Sequence, residues 1–83
     1  MIDVQYFASV RERLGIDSEQ VEVAGMTTVA ALLDLLAARH GEKGQRVLKD
    51  ARVLAAVNQV VAESQAPVRS GDEVAFFPPV TGG

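Results

Sequence analysis

Apolar and polar residues alternate one for one near both ends of this chain. In IDVQYF, residues 2–7, Ile2, Val4 and Tyr6 fall on one face of a strand and Asp3, Gln5 and Phe7 on the other. In DEVAFF, residues 72–77, Val74 and Phe76 share one face while Glu73, Ala75 and Phe77 share the other, after a turn at Gly71 and Asp72. EQVEV, residues 19–23, repeats the pattern with Val21 and Val23 inward. Between these stretches the period lengthens. Val29, Leu32, Leu33 and Leu36 recur along one stripe of a helix over 27–40, which a threonine at 27 or 28 caps and which Arg39, His40 and Gly41 end. Val10 and Leu14 mark a short helix over 9–14 that Gly15 terminates, and Val47 and Leu48 mark another over 44–50. VLAAV, residues 53–57, reads as a buried strand, and Asn58 with Gln59 forms the turn into Val60 and Val61.

This order predicts an α+β roll in which one sheet grips one main helix and leaves its other face open. The open face carries Asp3, Gln5, Glu73 and Ala75, and among them the aromatics Phe7 and Phe77 at the C-terminal ends of their strands. Parallel pairing of the first and last strands brings those two rings together where the chain leaves the body. Residues 1–77 then make one domain, and residues 78–83, PPVTGG, an extended, flexible tail.

Composition narrows the function classes. The 83 residues are 48% hydrophobic and 23% charged, enough for one core and not for a buried active-site cavity. There is no cysteine and a single histidine, so disulfides are excluded and a zinc site lacks its ligands. A net charge of -3 argues against a nucleic-acid partner, which calls for a basic stripe. No apolar run reaches the length of a membrane span and the opening MIDVQYF has no basic leader, so the expected location is cytoplasmic. Arg11 and Arg13 solvate the small helix, with pairing of one of them to an acidic patch on a partner as the alternative; His40 ends the main helix, and Asp34 lies on its polar side.

The closing stretch GDEVAFFPPVTGG, with LAAVNQ before it and FASVRERLG near the start, resembles the small, sulfur-carrying subunits of molybdopterin synthase, the MoaD type of ubiquitin-like proteins. The resemblance runs over essentially the whole chain, and FFPPVTGG at the C-terminus is its most specific part. It implies a β-grasp fold, one mixed sheet packed on one main helix. It also implies a protein that is not catalytic alone and binds no cofactor, and whose last residue, Gly83, preceded by Gly82, is the reacting group. An activating enzyme uses ATP to adenylate that carboxyl, sulfur from a donor protein replaces the adenylate to leave a thiocarboxylate, and the large, catalytic synthase subunit inserts the sulfur into cyclic pyranopterin monophosphate. Two transfers build the dithiolene of molybdopterin, on the path to the molybdenum cofactor, in a heterotetramer with a small subunit at each end. The resemblance places an apolar contact to the large subunit at Val61; Phe7 and Phe77 are expected to dock beside it, with Pro78, Pro79, Val80 and Thr81 threading into the partner.

The residues make such chemistry intelligible. A free carboxylate repels nucleophiles, so acyl transfer needs a mixed anhydride first. Without a cysteine, a carried sulfur has only the terminal acyl group to sit on. Residues 78–83 extended span roughly 20 Å at about 3.3–3.6 Å each. The prolines limit the entropy lost on threading, and the glycines pass where a Cβ would not. Two other readings share the Gly-Gly end: a sulfur carrier for thiamine or another metabolite, and a ubiquitin-like modifier of lysines. A plain β-grasp interaction module is the third.

Overall fold

A computed structural model describes residues 1–79 of the chain. Strand β1, Ile2–Tyr6, buries every second residue, as its alternation requires. It pairs antiparallel with β2, Ser18–Val21, setting Ile2 opposite Val21, and parallel with β7, Glu73–Phe77, setting Val4 opposite Val74 and Tyr6 opposite Phe76. On the far side of β7, strand β4, Leu54–Val57, runs antiparallel and hairpins into β5, Val60–Ala62. The sheet order is β2-β1-β7-β4-β5, so the last strand is the central one.

The inward face of this sheet meets the helices. Ile2, Val4, Tyr6, Val74 and Phe76 are at most 2% exposed, and the Tyr6 and Phe76 rings stack with centroids 6.2 Å apart. Burial of each such side chain contributes about 1.5–3 kcal/mol. Helix α2, Val29–Arg39, lays Val29, Leu32, Leu36 and Ala37 against them. Helix α1, Ala8–Leu14, adds Val10 and Leu14 and stops at Gly15, whose φ of 85° a side chain would resist. The hairpin turn is carried by Asn58 and Gln59, both with positive φ (50° and 71°), the two-residue geometry that suits the twist of paired strands. This mixed sheet, closed over one main helix, is the β-grasp roll.

The structure departs from the periodicity in five places, the first at β2, which ends at Val21 and leaves Val23 outside the strand and only partly buried. Thr27 lies in a three-residue strand, β3, Met26–Thr28, paired with β6, Pro67–Arg69, a ribbon too short for its alternation to register. The helix therefore starts at Val29, with the Thr28 hydroxyl accepting from Ala31 N at 3.1 Å and the Ala66 and Ser64 carbonyls taking the Val29 and Ala30 N–H groups. Helix α3 begins at Gly41 rather than 44 and runs to Leu48, because Gly41 at φ 65° turns the chain within one residue of α2. Within the helical stripe Leu33 is half-buried and Ala37 takes the fully buried place. Strand β4 is buried only at its two alanines, leaving Leu54 40% exposed. Among the described residues no helix is long and apolar enough to cross a membrane.

Candidate functional site

The chain leaves the domain at Phe77, between two neighbours that end with it. Because Tyr6 lies opposite Phe76 in parallel register, Phe7 follows β1 as Phe77 ends β7, and Phe7 N–H donates to the Phe76 carbonyl at 3.1 Å. Phe7 is 47% exposed and stands at the start of α1, where Ala8 turns the backbone at φ 50°. That left-handed conformation costs an L-residue about 1–2 kcal/mol, a local strain beside the exit of the tail. On the other side, antiparallel register sets Leu54 opposite Phe77, Ala56 opposite Ala75 and Val61 opposite Ala56, so all five share the open face. Val61 is 70% exposed and Phe77 half-buried.

The structure thus brings Phe7 and Phe77, named by strand phase, and Val61, named by the resemblance, onto or beside one apolar surface. It adds Leu54, which the reading of 53–57 as a buried run hides. The signal that finds it is cross-strand register, and register is set by the turn at Asn58 and Gln59. Asn58 is itself anchored, accepting from Glu73 N at 3.0 Å and donating to the Asp72 carboxylate at 3.1 Å. The polar remainder of the face, Asp3, Gln5 and Glu73, lies further from the exit along β1 and β7.

Pro78 and Pro79 also border a cleft of about 240 Å³ on the helical side, floored by Val10 and Val47 and rimmed by Arg13, Asp50 and Arg52. Hydrogen bonds from the Arg52 side chain and backbone hold the Asp50 carboxyl down to about 2, and the charge of Arg13 adds to this.

A separate polar cluster ties the β2 edge to the helices. Glu19 accepts from the Tyr6 hydroxyl at 2.6 Å and Arg39 Nη1 at 2.8 Å, and its Oε2 lies 2.5 Å from His40 Nε2. Arg39 also donates to the Gln20 carbonyl at 3.3 Å, covering part of that strand edge. Burial, with Glu19 adding to it, pushes the Tyr6 hydroxyl well above its ordinary range, so it remains a donor. Burial alone would raise the Glu19 carboxyl, but the bonds from Tyr6, His40 and Arg39 outweigh it and hold the group below its ordinary value. His40 is therefore more than a helix end. Among the described residues no group of three or more His, Cys, Asp or Glu side chains is placed to hold a metal ion.

Four of the expected tail residues, Val80, Thr81, Gly82 and Gly83, lie outside the described residues. The comparisons with known proteins include them. The model of the ThiS family matches residues 4–83. The molybdopterin synthase sulfur carrier subunit of Escherichia coli is 48% identical over 83 residues, covering all of both chains, and that of Haemophilus influenzae is 41% identical with the same coverage. Among solved structures, SAMP1 from Haloferax volcanii superimposes with a TM-score of 0.76 at 30% identity, covering 99% of this chain and 98% of that one. The family model covers nearly the whole chain, and both carrier relatives match it over their full length: the chain belongs to the ThiS family.

Proposed function

We propose that this chain is the sulfur carrier subunit of a molybdopterin synthase and that the Gly83 carboxyl is the group it carries sulfur on. The observation that carries the reading is the exit of the tail: Pro78 continues the central strand β7 at the rim of an apolar surface made by Phe7, Leu54, Phe77 and Val61. A partner seated on that surface faces the start of a tail whose six residues reach roughly 20 Å. The end-to-end identity with relatives bearing the sulfur-carrier name supports the same reading.

In this mechanism the domain is a rigid handle and catalysis belongs to its partners. The activating enzyme converts the Gly83 carboxylate to an acyl adenylate, releasing pyrophosphate from ATP. Sulfur delivered at the sulfide level by a donor protein forms a bond to the acyl carbon as the acyl–phosphate bond breaks and AMP leaves, which gives the thiocarboxylate. In the large subunit that sulfur bonds to cyclic pyranopterin monophosphate, water cleaves the acyl–sulfur bond, and the returned Gly83 carboxylate is reloaded. Phe7, Val61 and Phe77 serve both enzymes in turn, so the two complexes exclude one another. Pro78 and Pro79 stiffen the start of the tail; Val80 and Thr81 line the path, and Gly82 and Gly83 enter where side chains do not fit. The cycle is placed in the cytoplasm, where no membrane or nucleic acid takes part.

Thiocarboxylated protein mixed with the large subunit and the pterin precursor is expected to yield the dithiolene product. Deleting Gly83 should abolish that yield while shifting stability by no more than about 0.5 kcal/mol. Full product formation by the truncated protein would overturn the reading. The 35% identity to small archaeal modifier protein 1 of Haloferax volcanii supports a protein-modifier role as the second reading. Intact mass from cells separates the two: a carrier shows molecules with one oxygen replaced by sulfur, a modifier shows lysine-linked conjugates.

A further inference from the structure

The cleft on the helical side of the tail base is built to take something that the open face is not. Its floor is apolar, with Val10 from α1 and Val47 from α3, and Pro78 and Pro79 form part of its border. Of its charged groups, Asp50 is already engaged: it accepts from Arg52 N at 2.9 Å, Nε at 3.2 Å and Nη2 at 3.0 Å. Arg13 is exposed and enters none of the ion pairs formed among the described residues, whereas its neighbour Arg11 pairs with Asp17 at 3.8 Å. Two guanidinium groups against one carboxylate make the cleft locally cationic on a chain of net charge -3. The chemical complement is an apolar side chain beside a carboxylate, which the guanidinium fork binds through paired hydrogen bonds.

We propose that this cleft is a second docking point for the large synthase subunit, seating an apolar side chain on Val10 and Val47 and a carboxylate from the same partner segment on Arg13. The inference rests on the carrier reading. A partner that admits the chain from Pro78 onward must close around the exit, and the exit is flanked by the apolar face on one side and this cleft on the other. The apolar face supplies area without direction, since hydrophobic contact is non-directional. A charge-assisted bond across the two prolines fixes the angle at which the tail is aimed, and its positive partner steers the encounter.

Titration of the large subunit with four forms of the intact chain tests this: wild type, Arg13→Glu, Phe77→Ala and Lys43→Glu. Lys43 lies exposed on α3 and lines neither surface, so it reports the general effect of reversing one charge. Arg13→Glu is expected to weaken binding at least about ten-fold, the range of a charge-assisted bond, while Lys43→Glu changes it less than about three-fold. Thermal midpoints of both should match wild type; if Arg13→Glu disturbs the Asp50 loop, Arg13→Ala is expected to weaken binding in the same direction by a smaller factor. Equal losses for Lys43→Glu and Arg13→Glu would overturn the proposal. So would unchanged affinity in both Arg13 variants alongside a loss in Phe77→Ala, a result that leaves the carrier reading standing. Failure of the wild-type chain to bind would remove both.

Discussion

At the scale of single residues, Glu19 is the most consequential polar group outside the tail. One carboxylate, its side chain 13% exposed, collects Tyr6 from β1 and Arg39 and His40 from the end of α2, partners 13, 20 and 21 positions away. Glu19→Gln keeps the shape but leaves these donors facing an amide, so a loss of about 1–3 kcal/mol is expected, read as a fall of about 4–8 °C in thermal midpoint per kcal/mol. Its pH dependence has a defined sign. The folded-state value lies below the ordinary one, so the stabilisation is complete above about pH 4.5 and is lost as pH falls through the folded value. Thermal midpoints measured from pH 7 to pH 3 should fall more steeply below pH 4.5 in wild type than in Glu19→Gln; parallel curves would show that Glu19 is not the group responsible.

At the scale of elements, the contact between α2 and α3 turns on Gly44. A Cβ built there would stand 2.4 Å from the Ala37 carbonyl oxygen and 2.8 Å from the His40 Cβ, backbone and near-backbone atoms that have little room to move. Gly44→Ala gains about 1 kcal/mol of helix propensity, but overpacking costs typically about 1–3 kcal/mol, so the net effect should be destabilising or at best neutral. A raised thermal midpoint would show that the helices separate easily. Nothing in the spacing of residues 41–48 marks Gly44 as special, because its constraint comes from another helix. The same limit explains what else was hidden. Strands and helices with a long period, such as β1, β7 and α2, declare their buried faces, whereas the parallel pairing of β1 with β7 is supplied by the structure. The ribbon of β3 and β6 is three residues on each side, too short to carry a period. The Glu19 cluster joins segments far apart in the chain, and Leu54 is exposed by register rather than by composition. Alternation names Phe7 and Phe77, resemblance names Val61, and strand register sets Phe77 and Val61 on one face with Phe7 beside the exit.

At the scale of the whole molecule, the sheet places the strand from which the tail leaves, β7, at its centre. β7 is held by β1 on one side and β4 on the other, and the two edges, β2 and β5, are each separated from it by one strand. A mutation at an edge should therefore alter stability without moving the exit, whereas one in β7 should affect both. The arrangement also has a mechanical consequence. Parallel strands run with their free ends pointing apart, so tension between the start of β1 and the end of β7 stretches every hydrogen bond of that ladder together. Tension between residues 53 and 78, at adjacent ends of antiparallel β4 and β7, instead opens its ladder one rung at a time. Single-molecule pulling should show a rupture force several-fold higher for handles at residues 1 and 79 than for handles at 53 and 78, because forced unfolding follows the height of the barrier along the pulled direction. The tail is thus anchored like a rope spliced into the middle of a net, where a pull on the end is shared by the strands on either side.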